Sequence, residues 1–254
     1  MDYEIRAMSF GEILDTGFQL LRDHFVLLAG IAAVLYVPTA ILNAYLGAAI
    51  QAPSQGPAGP LIAAGVGLIL LAFVASPIVQ VAITYAIGEV YIGHRPTIGD
   101  ALRFGISILV PLAGTALLMY LAVLLGLALF VLPGVYLLLA FMLVWQVMVL
   151  ERTFGMPALQ RSRELMRGHL ARGLGVVVVS SLVILLLVGA VDFILGFVPV
   201  LGPIGAGIAQ AAGAAYGAAV GVALYFDIRC RKEAFEVEHL AQQVAARGGP
   251  PSGP

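Results

Sequence analysis

The sequence has few charged residues, a single cysteine and none of the short motifs that commonly carry catalysis. Charged residues make up 11% of the chain, well below their share in soluble domains. Cys230 has no cysteine partner, so an internal disulfide is excluded. There is no H-E-x-x-H zinc motif, no G-x-x-x-x-G-K-S/T phosphate loop and no G-x-S-x-G nucleophile elbow. We therefore expect no enzyme activity, no metal and no cofactor.

The charge balance gives no indication of nucleic-acid binding. Thirteen Lys and Arg residues stand against fourteen Asp and Glu residues, and the net charge is −1 at pH 7. The basic residues form no long block. We expect membrane lipids as partners, with a protein partner or a second copy of the chain as alternatives.

What the chain has in abundance is apolar sequence. Hydrophobic residues make up 61% of it and the mean hydropathy is +1.03, which is more than one soluble core can bury. A membrane-spanning helix needs about 20 apolar residues. Six apolar stretches predict an all-α integral membrane protein with six transmembrane helices, at about 25–50, 61–92, 108–132, 135–150, 174–200 and 204–226. The fourth stretch is short at these limits, and the other five meet the requirement.

The basic residues predict the orientation of these spans. In the six-span arrangement all thirteen lie on one side, which the positive-inside rule makes cytoplasmic. We expect a multi-pass protein of the cell membrane, built as a single domain over residues 1–247 with both termini in the cytoplasm. The cytoplasmic tail is predicted from residue 227, and the Gly- and Pro-rich residues 248–254 are expected to be disordered.

Amphipathic helices are predicted at the membrane surface before the odd-numbered spans. Ser9 and Glu12 have the spacing of a capping box, and an amphipathic pattern follows over residues 9–24. Thr97 and Asp100 repeat the cap before the third span, and Pro157 begins a third such segment before the fifth. The order of these features predicts three hairpins related by a weak threefold repeat, although every hairpin with a charged cytoplasmic end shares some of this similarity.

Four motifs resemble one known family. The sequence S-F-G-E-I-L-D-T-G-F-Q-L-L-R-D-H-F (residues 9–25) resembles the start of the membrane domain found with some glycerophosphodiester phosphodiesterases and in related prokaryotic six-span proteins of unknown function. L-P-G-V-Y-L-L-L (132–139), G-M-P-A-L-Q-R-S-R-E-L-M-R-G-H (155–169) and Y-F-D-I-R-C-R-K-E-A-F (225–235) are similar to later parts of that family. In this family the hydrolytic activity belongs to a separate soluble domain, so the resemblance implies a membrane role linked to lipid or envelope processes and not hydrolysis.

Asp192 is the candidate polar site within the membrane. It lies among apolar residues in the outer part of the fifth predicted span, and ionisable groups in that setting are functional candidates. One hypothesis gives it a role in transport through a polar cavity. The other places it near the outer headgroups or in a hydrogen bond to a neighbouring helix.

Three acids near the cytoplasmic ends of the returning spans form a second candidate site. Glu89, Glu151 and Asp227 are unfavourable to the helix dipole where a helix ends, so each needs a partner. The candidate partners, as hydrogen-bonded clamps, are Arg103, Arg163, Arg167 and Arg229. The alternative is a proton or cation path at the cytoplasmic mouth.

A basic cluster before the fifth span is the third candidate, with anionic-lipid contacts predicted at Arg161, Arg163, Arg167 and Arg172. Ordinary positive-inside charge explains the same residues. Together these features predict a non-catalytic membrane protein that interacts with lipids or acts as a scaffold in the cell envelope. A small-solute or lipid transporter, such as a scramblase using Asp192, is the alternative, and a membrane-embedded lipid enzyme is a further one.

Overall fold

The computed structural model describes residues 7–51, 59–195, 198 and 201–247, and every regular element in this part of the chain is an α-helix. The predicted all-α fold is confirmed. The helices are α1 (Phe10–Asp23), α2 (Phe25–Gln51), α3 (Gly59–Tyr91), α4 (Ile98–Ser107), α5 (Leu109–Leu129), α6 (Val131–Ala140), α7 (Val144–Leu150), α8 (Met156–Met166), α9 (Leu170–Leu195) and α10 (Leu201–Arg247).

Five segments of the described chain are long and apolar enough to cross a membrane, as expected for a multi-pass protein. They are Phe25–Ala49, Leu109–Leu129, Val131–Leu150, Leu170–Leu195 and Leu201–Glu233. The second predicted span corresponds to α3, a helix of 33 residues that is not among these five. Most of the predicted outer connection at residues 51–60 lies outside the described residues, as do residues 199–200 of the one predicted at 199–203 and the predicted disordered tail 248–254. Residues 201–203 form the start of α10.

Helix α10 lies at the centre of the bundle, in contact with α1, α2, α3, α7, α8 and α9. Its membrane half consists largely of Ala and Gly, and small side chains let neighbouring helices approach closely. Five of its alanines are buried: Ala211, Ala215, Ala218, Ala219 and Ala223. Two glycines of the same half also pack inside the bundle, because Gly213 faces Ile184 of α9 and Gly221 faces Gln146 of α7.

The turn between α5 and α6 lies earlier than the sequence suggested. Pro133 and Gly134, the two residues between the third and fourth predicted spans, lie instead in the first turn of α6, and the chain reverses at Phe130, which has extended backbone angles. A helix tolerates proline in its first turn because the N–H that proline lacks would have no partner there. Gly134 packs against α5 so closely that a Cβ atom would lie 2.8 Å from the Leu127 nitrogen.

The fourth predicted span is not one continuous helix. Residues 141–143 form turns between α6 and α7. The hydroxyl of Ser162 in α8 donates a hydrogen bond of 2.8 Å to the carbonyl of Ala140, at the end of α6. The side chain of Ser162 thus supplies a hydrogen-bond donor to a backbone carbonyl at the break. The inner face of α8 is buried at Ala158, Leu159 and Leu165.

Both predicted capping boxes are present. The Ser9 oxygen accepts from the Glu12 N–H while the Glu12 carboxylate accepts from the Ser9 N–H, and Thr97 and Asp100 form the same pair before α4. The Thr97 hydroxyl also donates to the Asp100 carboxylate at 2.6 Å. These hydrogen bonds lower the pKa of Asp100 from its ordinary value because they favour the charged carboxylate.

The last helix does not end where the sequence predicted. The sixth span was expected to stop at Phe226 and give way to a cytoplasmic tail, but α10 continues without a break to Arg247. Ion pairs at i, i+4 spacing support this continuation, joining Asp227 to Arg231 and Arg229 to Glu233.

Helix α1 packs closely against α10 at one glycine. Gly17 is buried, and an ideal Cβ atom there would lie 2.5 Å from Val220 Cγ2 and 3.1 Å from the Val220 nitrogen. We predict that Gly17→Ala lowers the free energy of unfolding by about 1–3 kcal/mol, the usual cost of overpacking. Equilibrium unfolding in mixed detergent micelles measures the effect.

The matched control is Gly11→Ala in the same helix, where nothing lies within 4 Å of the new methyl group. This change is expected to be neutral or to stabilise by up to about 1 kcal/mol, because alanine favours helix formation. Equal losses in both variants would contradict the proposed packing of α1 on α10.

Candidate functional site

A buried carboxylate joins three distant parts of the chain. The side chain of Asp227 has no exposed surface, and its two oxygens accept from Arg172 Nε at 2.8 Å and from Arg231 Nε at 2.9 Å. The backbone N–H of Met8 donates to the same carboxylate at 2.7 Å. Asp227 therefore connects the segment before α1 to the first turn of α9 and to α10.

The two arginines that bind Asp227 also bind the backbone carbonyl of Met8. Both Arg172 and Arg231 donate through Nη2 to the carbonyl of Met8, the latter at 2.7 Å. The N–H and C=O of Met8 precede the first helix and have no helical partner of their own, so this contact satisfies both. We call Asp227, Arg172, Arg231 and the Met8 backbone the N-terminal clamp.

The position of the clamp follows from local structure. Met8 stands one residue before the Ser9 cap, so the capping box fixes its backbone, and its side chain is buried. Arg231 follows Asp227 by one turn of α10 and reaches it without a change of helix. Removing one partner of a buried ion pair strongly destabilises a protein, because the other charge is left without compensation.

A second network surrounds Glu151, at the end of α7. Its carboxylate accepts from Arg161 Nε at 2.9 Å and from the Tyr225 hydroxyl at 2.8 Å. Arg161 also lies 3.4 Å from Glu233, which accepts from Arg229 at 2.7 Å. We call this set the Glu151 network, and it joins α7, α8 and α10.

Both networks share one short stretch of α10. Tyr225, Arg229 and Glu233 are spaced by four residues and serve the Glu151 network, while Asp227 and Arg231 serve the N-terminal clamp. Since residues four apart lie on one face of a helix, the two sets occupy different faces. This stretch thus fixes α10 against α8 on one side and against α1 and α9 on the other.

The structure brings together only some of the acids and bases that the sequence singled out. Glu151 pairs with Arg161 and not with the predicted Arg163. Glu89 accepts from His94 Nδ1 at 2.6 Å instead of pairing with an arginine. Arg103 is exposed on α4. Arg229 has no direct contact with Glu151 and is joined to it through Tyr225, whose hydroxyl lies 3.1 Å from Arg229 Nη1.

The predicted anionic-lipid cluster divides into two pairs. Arg161 and Arg172 are held in the ion pairs described above, so they are not available as simple lipid contacts. Arg163 and Arg167 are exposed, and both line a polar pocket between α6 and α8.

Asp192 lines neither the polar pocket nor the two apolar grooves of the bundle. It is exposed on α9, one turn before the helix ends at Leu195. The described bundle has two apolar grooves, of 280 Å³ beside α3 and α5 and of 380 Å³ between α1, α9 and α10. Leu112, Ala116 and Tyr120 line the first, and Val191, Leu195 and Tyr216 line the second, but Asp192 lines neither.

Several members of the networks were missed by reading the sequence. Arg231 and Glu233 were assigned to a tail, although their i, i+4 spacing from Asp227 and Arg229 is visible once the helix is continued. Tyr225 lies in the last of the four family motifs, which gives no indication of its contact with Glu151. The role of the Met8 backbone has no sequence signal, because it depends on a contact over 219 positions.

The site is suited to holding helices together. Among the residues that the structure describes, no group of three or more His, Cys, Asp or Glu side chains is arranged to hold a metal ion. The acids of both networks are already engaged by arginines or tyrosine.

Comparison with models of known protein families, with curated proteins and with solved structures found no significant match. The resemblance to the membrane domain of glycerophosphodiester phosphodiesterases therefore stays a prediction from the four sequence motifs.

The N-terminal clamp makes a direct prediction for stability. Asp227→Asn removes the charge that compensates Arg172 and Arg231, and we expect it to lower the free energy of unfolding by roughly 3–5 kcal/mol. Equilibrium unfolding in detergent micelles provides the measurement.

Asp192→Asn is the matched control, since it makes the same chemical change at an exposed position. Its expected effect is below about 0.5 kcal/mol, as for most surface substitutions. A loss for Asp227→Asn no larger than that of the control would show that the clamp contributes nothing to stability.

Proposed function

We propose that the chain is a non-catalytic, six-span protein of the cell membrane that interacts with lipids and acts as a scaffold in the envelope. The observation that carries this proposal is that charged and apolar side chains occupy different parts of the bundle. The charged networks lock helices together at one end of the bundle, while the grooves between helices are lined by apolar side chains. Apolar grooves suit acyl chains and not hydrated solutes.

The exposed surface supports lipid as the surrounding solvent. Large apolar side chains are more than half exposed along α9, at Leu182, Leu185, Leu186 and Leu187. Exposure of such a continuous apolar surface to water is unfavourable. Similar exposure on α5 extends the surface around the bundle, at Leu117, Leu124 and Leu125.

Six spans require α3 to cross the membrane with the other five segments. Its length of 33 residues is sufficient, and its sequence between Leu61 and Val79 contains no charged residue. The contacts of α2 with α3, α5 with α6 and α9 with α10 agree with three hairpins. This arrangement puts both termini and all basic residues in the cytoplasm.

Whether α3 crosses the membrane can be tested by asking if α1 and α4 lie on the same side of it. In a Cys230→Ser background, single cysteines at the exposed positions Gln19 and His94 leave all thirteen basic residues in place. We expect both to react with a membrane-impermeant maleimide only from the cytoplasmic side. If α3 did not cross, the two cysteines would react from opposite sides.

The transport alternative is tested with purified protein in liposomes. We expect neither solute flux nor lipid scrambling above that of protein-free liposomes, and no change in Asp192→Asn, because Asp192 lines neither of the two apolar grooves. Asp15→Asn, an exposed acid of α1, is the matched control. Flux in the wild type that is lost in Asp192→Asn and kept in Asp15→Asn would replace the scaffold proposal by transport.

A further inference from the structure

A pocket between α6 and α8 differs from the two apolar grooves because arginines line it. It has a volume of 550 Å³ and is lined by Tyr136, Gln160, Arg163, Glu164 and Arg167. Arg163 and Arg167 are four residues apart, so both extend from the same face at the end of α8. Neither network described above uses this pocket.

One of these arginines is oriented by an aromatic side chain. The Arg163 Nε donates to the Tyr136 hydroxyl at 3.3 Å, and the guanidinium carbon lies 5.9 Å from the centre of the tyrosine ring. This contact engages the inner nitrogen of the guanidinium group. Its two terminal nitrogens remain, and they can donate together to two phosphate oxygens.

The pocket keeps an excess of positive charge. Ion pairs in the described part of the chain engage Arg161 and Arg172, but none engages Arg163 or Arg167. The Glu164 carboxylate lies 4.0 Å from Arg161, and its backbone carbonyl accepts from Lys232. Two guanidinium groups therefore face the space with one carboxylate beside them, which favours an anion.

The neighbouring surface of α6 favours a lipid as the source of that anion. Leu132, Val135 and Tyr136 follow i, i+3, i+4 spacing and share one face. The exposed fraction of Leu132 is 82% and that of Val135 is 39%. An apolar stripe thus runs from the pocket along α6, where acyl chains attached to a bound phosphate would lie. Helix α1 lacks this combination, because it has three acids and one arginine.

We propose that the α6–α8 pocket binds the phosphate group of an anionic phospholipid, with Arg163 and Arg167 on the phosphate and the acyl chains along Leu132 and Val135. Tyr136 positions Arg163, and Gln160 is the uncharged amide in the lining that would donate to the glycerol part of the headgroup. This inference deepens the proposed function and rests on its lipid-embedded bundle.

The test uses the full chain purified in detergent and equilibrated with equal amounts of phosphatidylglycerol and phosphatidylcholine. Native mass spectrometry counts the lipids that stay bound. We expect the wild type to retain phosphatidylglycerol in preference, and each of Arg163→Gln and Arg167→Gln to weaken that retention about fivefold, equivalent to about 1 kcal/mol per basic residue.

The matched control is Arg103→Gln, which removes an exposed cytoplasmic arginine of α4 outside the pocket. Its lipid retention should equal that of the wild type, and the unfolding temperature of all three variants should stay unchanged because the side chains are exposed. Equal losses in Arg103→Gln, or no loss in Arg163→Gln and Arg167→Gln, would overturn the proposal.

A second arm separates a lipid from a soluble phosphate compound. Glycerol 3-phosphate has the same phosphate chemistry without acyl chains, and we expect it to leave bound phosphatidylglycerol in place at equal concentration. Complete displacement would assign the pocket to a soluble phosphate ester and overturn the lipid proposal. Failure of either arm leaves the flux result unaffected, so it is distinguishable from failure of the scaffold function.

Discussion

A charged carboxylate without access to water needs positive charge and hydrogen-bond donors around it. The packing of this bundle depends on how Asp227 obtains them. Two guanidinium groups and one backbone N–H surround the carboxylate, and the same two guanidinium groups bind the Met8 carbonyl. The compensation is therefore complete only when the segment before α1, the start of α9 and α10 are all in place. A single buried charge in this way determines the arrangement of three elements.

The composition of α10 makes this arrangement possible. Small residues in its membrane half allow α2 and α9 to pack closely around it, and the charged residues begin with Asp227, directly after this apolar part. The central helix thus combines two different ways of binding neighbours: close van der Waals contact among Ala and Gly, and oriented ion pairs beyond them. The leucine-rich α9 has neither feature over most of its length and leaves its side chains exposed.

The sequence predicted the helices better than it predicted their partners. Hydropathy, capping boxes and the proline near the start of α8 were sufficient to predict the helical class and the starts of α1, α4 and α8, because these signals are local. The end of α10 was not predictable from hydropathy, since the ion pairs of Asp227 and Arg229 continue the helix into polar sequence. The pairing of Glu151 with Arg161 depends on the break at residues 141–143, which brings α8 beside α6 and α7.

The distance along the chain between Met8 and Asp227 has a consequence for biogenesis. These residues are 219 positions apart, so Met8 is synthesised long before the carboxylate that binds it. Until α10 is inserted, Arg172 carries a guanidinium group without its acid, and the first amphipathic helix lacks its main packing partner, although it also contacts α2 and α9. Closure of the bundle must then be a late, post-insertional event, and a chain arrested before α10 would present unpaired arginine to the machinery that surveys membrane proteins.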